Sequence, residues 1–152
     1  MATIASITKS NLLDQSWQNV YKVISDNVSD PLNRGTPTAW IHSAFPQERK
    51  GTMAFYPKII IENPNLSGEN FVFGHPERRY TWNIPISVYD TRMDRCATVA
   101  SDILYALETN KGSLETNGMN MLNFTSSPTF HNVIANQVVH EIRINVYCEG
   151  VV

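Results

Sequence analysis

Several groupings of side chains have types and spacing that could do chemistry. In HPERR, His75 and Glu77 stand beside Arg78 and Arg79, a set that could supply a general base, an acid and an anion holder. All four share one loop, and closeness along a loop does not bring proton-transfer groups to a common point; a solvated or interface loop is the simpler reading. His140 and Glu141 are neighbours in a strand pattern, so their side chains leave on opposite faces. Asp90, Asp94 and Asp102 offer oxygen ligands for a hard cation, but they fall at a helix cap and two helical positions that do not converge. Phe71, Phe73, Tyr80 and Trp82, with Arg78 and Arg79, have the composition of a stacking platform for single-stranded nucleic acid.

Charge argues against the last of these. The net charge is −2, with Lys and Arg numbering 12 against 14 Asp and Glu, so a general cationic groove is not expected. Cys96 and Cys148 stand far apart, and His42, His75, His131 and His140 match no zinc spacing, so buried free thiols are expected. No Gly-rich phosphate loop, nucleophile elbow, HExxH helix or CxxC pair occurs. These readings imply no catalytic, cofactor or metal residues. The first residues lack a basic region followed by an apolar run, and no 18 apolar residues follow one another, which reads as a soluble, cytoplasmically made chain with no membrane contact.

The elements that must position these groups can be read from periodicity. Leu13, Trp17, Val20, Ile24 and Asn27, flanked by Leu12 and Val23, predict a helix over 10–28 with Ser10 as N-cap, ended by Pro31. A short strand over 38–43 is expected, then a β-branched strand over 57–63 buried on both faces. The loop after it carries Phe71, Val72 and Phe73, an apolar triplet that needs cover from the domain's own core or from another subunit.

Tyr80, Trp82, Ile84, Ile86 and Val88 alternate as one face of a long strand, with Pro85 in its middle pointing to an edge or a bulge. Asp90 or Thr91 then caps a helix on which Met93, Cys96, Ala100, Ile103 and Leu107 recur, with a stop at Asn110, Lys111 and Gly112. A strand over 119–125 and a final strand with Val138, His140, Ile142, Ile144, Val146 and Cys148 on one face complete the chain. At 152 residues this is one α+β domain over 1–152. The expected architecture is a two-layer sandwich: a mainly antiparallel sheet of four to five strands with two helices packed on one face.

The order of an amphipathic helix, a YPKIIIEN segment, a strand ending in VYDT, a helix containing ASDILYALE and a closing VHEIRINVYCEG strand resembles the tail terminator, or tail completion, proteins of long-tailed bacteriophages and related viruses. The likeness spans about Leu12 to Glu149. The resemblance implies a structural virion protein without catalysis, made in the host cytoplasm. Such subunits form a ring, usually hexameric, at the head-proximal end of the tail tube, stop tube polymerisation and face the neck or head-completion proteins. DNA meets the ring only in transit through its lumen. On that reading Arg34, Arg49, Lys50, Phe71, Phe73, Arg78 and Arg79 are the candidate subunit or tube contacts. Another neck or tail-ring component, or a small ligand-binding or enzymatic domain using the His75 loop, is the alternative.

Overall fold

The computed structural model describes residues 4–8, 10–44, 56–70, 78–134 and 136–151, with the side chains of 68–70, 78, 121 and 151 outside that description. Two long strands form its centre: β4 (Arg78–Asp90) and β7 (Gln137–Val151) pair antiparallel from Arg79 opposite Val151 to Asp90 opposite His140. On the far side of β4 lie two short strands end to end. Of these, β2 (Lys58–Ile61) pairs with residues 86–89 and β3 (Asn65–Asn70) with residues 78–83. The two-residue β1 (Ile41–His42), entered from a 3-10 turn at Pro37–Ala39, extends the sheet beyond β2 and runs parallel to it. Beyond β7, β5 (Asn120–Ser126) and β6 (Phe130–Ile134) are likewise end to end. The sheet is thus mixed but mainly antiparallel, as expected, with seven described strands at five positions across where four to five strands were expected.

Among the described residues three helices accompany it: α1 (Leu12–Asn27), α2 (Met93–Thr109) and the short α3 (Lys111–Thr116). The inward alternation of β4 supplies Trp82, Ile84, Ile86 and Val88, and that of β7 supplies Ile142, Ile144, Val146 and Cys148. Against these pack Cys96, Val99, Ala100, Ile103 and Leu107 of α2 and Val20, Val23 and Ile24 of α1, all buried in one continuous core. Lys58–Ile61 is buried at every position, as the unbroken β-branched run requires.

Several local expectations are corrected. The first is that Pro85 marks neither an edge nor a bulge: it sits within the central strand opposite Asn145. The other side of β4 resolves the conflict. There β2 ends and β3 has not begun, and the Pro85 carbonyl accepts from the Glu62 N–H at 2.9 Å. In an antiparallel strand a residue's N–H and C=O point the same way, so Pro85 forgoes only the reciprocal bond to Glu62, just past the end of β2, and its pairing with β7 is untouched.

The buried stripe of α1 is rotated from the expected one. Leu13 is exposed, whereas Ser16 and Asn19 are buried. Asn19 earns its place by binding the backbone of the entering chain, accepting from Ala5 N at 3.0 Å and donating to Ala5 O at 2.9 Å. Ser10 is not the cap; Asn11 occupies that position, and its side chain accepts from Thr8 N rather than from the helix. Met93 is likewise exposed at the start of α2.

Gly112 does not stop the second helix either, because α3 follows at once. The left-handed stop is Gly118, at φ +106, where Gly118 N donates to Glu115 O and Met119 N to Leu114 O. β3 and β6 were not expected as separate strands.

Candidate functional site

Of the contact residues singled out in the sequence, those that are described, Arg34, Arg78 and Arg79, do not gather at one place. Arg49, Lys50, Phe71, Phe73, His75 and Glu77 lie outside the described residues. Arg78 pairs through its backbone with Asn70 at the β3–β4 end of the sheet. Arg79 stands on the face of the sheet away from the helices and makes an ion pair with Glu149 at 2.6 Å.

Arg34 is engaged within the subunit. Asp30, just beyond α1, accepts from Arg34 Nε at 2.7 Å and Arg34 Nη2 at 2.9 Å, and from the backbone N–H groups of Leu32 and Arg34. Arg34 Nη2 also donates to Pro57 O at 2.7 Å, and the guanidinium lies over the Trp40 ring. Burial alone would raise the Asp30 carboxyl, but the hydrogen bonds from Arg34 and the two backbone donors outweigh it and bring it down to about 2.

A second pair of the same kind sits next to the first. Asp90, fully buried at the end of β4, accepts from Arg95 Nε at 2.5 Å and Arg95 Nη2 at 2.8 Å, while Arg95 Nη2 reaches Tyr56 O at 3.2 Å. Two arginines, each fixed by its own aspartate, therefore hold the adjacent carbonyls of Tyr56 and Pro57, whose peptide bond is cis. Asp90 also accepts from Arg92 N at 3.1 Å, so one carboxylate organises both the strand-to-helix turn and the start of β2. The capping step expected of Asp90 is thus part of a larger job. The remaining acids do not join it: Asp94 pairs with Arg92 at the surface, and Asp102 is exposed on α2. Among the described residues, no three His, Cys, Asp or Glu are placed to hold a metal ion.

Trp82 is 2% exposed beneath the helices, so the aromatic platform suggested by the sequence is not assembled from it. Cys96 and Cys148 are buried free thiols, as expected. Burial, reinforced by the charge of Asp90, pushes the Cys96 thiol up to about 11, and burial alone moves Cys148 upward as well.

The face of the sheet away from the helices carries a polar ladder. Ser67 bonds Thr81 at 2.6 Å, Asn83 donates to Asn145 at 3.2 Å, and Arg79 meets Glu149. At the other end of this face Glu141, only 2% exposed, accepts from Arg143 Nε at 2.8 Å, Asn132 Nδ2 at 2.7 Å and Tyr89 Oη at 3.1 Å. Burial works to raise the Glu141 carboxyl, but these three donors outweigh it and leave it below the usual carboxylate range. Tyr89 responds in the opposite sense: burial, then the Glu141 charge, pushes its phenol up to about 12. His140, next in sequence to Glu141, is on the opposite face and packs edge-on against His131 with ring centroids 4.8 Å apart. The strand period had separated these two correctly.

One surface feature was missed. β6 and the start of β7 form a hairpin whose strands continue beyond Asp90, where β4 ends. Near its turn, where Asn136 has φ +61, Val133 and Val138 face each other across the strands and are 76% and 57% exposed. The run VIANQVV, two β-branched pieces about a tight turn containing Asn, is the sequence signal for it.

No protein-family model matches the chain. No curated protein matches it either. Among solved structures it is similar to a chain of the virion of a native gene transfer agent (GTA) particle, with a TM-score of 0.42 and 8% identity over 88% of this chain and 92% of that one. A likeness of that depth carries no argument about role. No described helix is long and apolar enough to cross a membrane.

Proposed function

We propose that this chain is a structural virion protein, acting as a tail terminator: a ring-forming subunit at the head-proximal end of the tail tube that ends tube growth and joins the tail to neck or head-completion proteins. The reading comes from the order of elements in the sequence. The observation that carries it is the pair of unlike sheet edges. β3 on one side and β5 with β6 on the other have no further strand beside them among the described residues. Open edges are surfaces a monomer normally protects, and two different edges on one subunit suit head-to-tail contact, which closes into a ring when its rotation allows.

In this role the described side chains act by shape and adhesion, not catalysis. The two Asp–Arg pairs fix the start of β2, and on the face of the sheet away from the helices the end of the polar ladder at Ser67, Arg79 and Thr81 offers a hydrophilic surface compatible with DNA passing through a lumen. The hexameric copy number, the tube and neck partners and the virion location belong to the same proposal. Light scattering over a concentration series, with and without tail tubes, tests it together with negative-stain images. A ring with an open centre, or capping of tube ends, is expected; a protein that stays monomeric and leaves tube lengths unchanged overturns it.

A further inference from the structure

The β6–β7 hairpin brings two histidines face to face. His131 on β6 and His140 on β7 are directly opposed in the antiparallel register. Directly opposed residues leave the sheet on one side from Cβ atoms about 4.5–5.5 Å apart, so the two rings emerge together. They meet edge-on, with centroids 4.8 Å apart and planes at 72°. His131 is exposed and His140 half-buried, so the pair can be reached from solvent. Spacing along the chain does not disclose it, because the juxtaposition belongs to the hairpin register and not to a ligand motif.

The separation has a chemical meaning. An imidazole nitrogen binds a divalent transition metal at about 2.0–2.1 Å with its ring centre about 1.1 Å further back, so two rings on one ion, at an angle of about 90–110°, have centroids about 4.5–5.2 Å apart. The observed 4.8 Å falls inside that interval, and turning the rings is enough to aim one nitrogen of each at a common point. A second observation points the same way. His140 Nδ1 is buried and has no hydrogen-bond partner among the described residues, a state that buried polar atoms rarely keep. An ion shared with His131 would give that nitrogen a partner.

The neighbouring side chains hold the protein ligands to two. Asp90 lies opposite His140 on β4, but both of its oxygens are bonded to Arg95. Cys96 is buried, with its thiol directed at the carbonyls of Val88 and His140. Val133 and Val138, the next pair outward, carry no ligand atom. Water therefore completes the coordination shell. Imidazole donors favour Cu²⁺, Ni²⁺ and Zn²⁺ over Mg²⁺ and Ca²⁺, which take oxygen.

We infer that His131 and His140 form a two-histidine chelate for a divalent transition-metal ion, which clamps β6 to β7 where the hairpin runs on past the end of β4. The inference is independent of the ring reading. It is tested on the full chain by isothermal titration with Ni²⁺ and with Zn²⁺, comparing wild type, His131→Gln, His140→Gln and a control in which His42 and His75 are both replaced by Gln. Circular dichroism and urea unfolding first establish that each variant is folded; His131 is exposed, so His131→Gln decides the matter if His140→Gln does not fold.

The expected result is one ion per chain in wild type and control, with Ni²⁺ the tighter of two ions when compared with Co²⁺. Each single variant should bind about tenfold or more weakly, because the second metal–nitrogen bond of a chelate forms within one molecule. Ni²⁺ should raise the urea midpoint of the wild type and leave that of His131→Gln unchanged. Cu²⁺ should show coupling to two imidazole nitrogens by electron paramagnetic resonance in the wild type, and to fewer in either variant. Heats that never saturate, affinity retained in folded His131→Gln, or affinity lost in the His42 and His75 control would each overturn the chelate.

Discussion

Removing Arg95 is expected to be the costliest single change at the surface-accessible end of α2. Asp90 is 0% exposed, and its charge is met by two bonds from Arg95, at 2.5 and 2.8 Å, and one from the Arg92 N–H. Arg95 is itself 22% exposed and retains access to water. The two truncations are therefore unequal. Arg95→Met strands a buried carboxylate, for which about 3–5 kcal/mol is expected. Asp90→Asn leaves a guanidinium that can turn partly to solvent and still keeps an acceptor for Arg92, so about 1–3 kcal/mol is expected. With a urea slope of about 2 kcal/mol per molar, Arg95→Met should lower the unfolding midpoint by about 2 M and Asp90→Asn by about 1 M. Tryptophan fluorescence reports the transition, and it should be followed at several protein concentrations so that any assembly equilibrium can be separated from folding. The double variant should cost less than the sum, since the coupling is counted once in each single variant. A midpoint shift below about 0.5 M for Arg95→Met, or a larger one for Asp90→Asn, would refute this ordering.

Asp30 predicts an acid-linked effect of defined sign. Its folded value of about 2 lies below the ordinary 3.8, so the stabilisation is present above pH 4 and is lost as pH falls toward 2. Asp30→Asn should therefore cost about 2 kcal/mol at pH 7, with the gap to wild type closing over that acid window in urea titrations. Glu141, also depressed, behaves the same way: Glu141→Gln should be less stable than wild type at neutral pH, and the difference should shrink as acid protonates the wild-type carboxylate. A Cβ at Gly150 would lie 3.0 Å from the Trp82 ring and 3.2 Å from Gly118 O, so Gly150→Ala should destabilise by about 1–3 kcal/mol; an unchanged thermal midpoint would contradict that packing. Cys96 and Cys148 should react with a thiol reagent only on unfolding, giving no colour in native protein and two equivalents in urea.

Periodicity made the layers legible. Alternation from Tyr80 to Val88 and from Val138 to Cys148 identified the inward faces of both central strands, and the three- and four-residue recurrence on α2 identified its buried stripe. Such patterns record only whether a position is wet or dry. They do not record which strand lies alongside, and this is why Pro85 misled: it is harmless in a central strand whose neighbour is interrupted beside it. The rotation of α1 has a similar origin. Leu13 fits the apolar period, while Ser16 and Asn19 are buried because they satisfy backbone groups at Leu13 and Ala5, and a hydrophobicity period cannot register that. Gly112 was a valid stop signal by composition, but only backbone geometry distinguishes it from Gly118, where the left-handed turn occurs.

The candidate contacts were harder to find for a related reason. Choosing cations in loops assumes that charge seeks a neighbour, yet Arg34 finds Asp30, Pro57 and Trp40 within its own subunit. The valines at 133 and 138 have the opposite disguise. In the sequence they extend the pattern of the buried strand residues after them, and Val138 is in phase with Ile142 and Ile144. Only the length of β4 reveals that the pattern outruns the sheet: its last residue lies opposite His140, and the next valine outward has no strand beneath it. Val133 and Val138 are exposed for that reason: the hairpin that carries them extends past the end of β4.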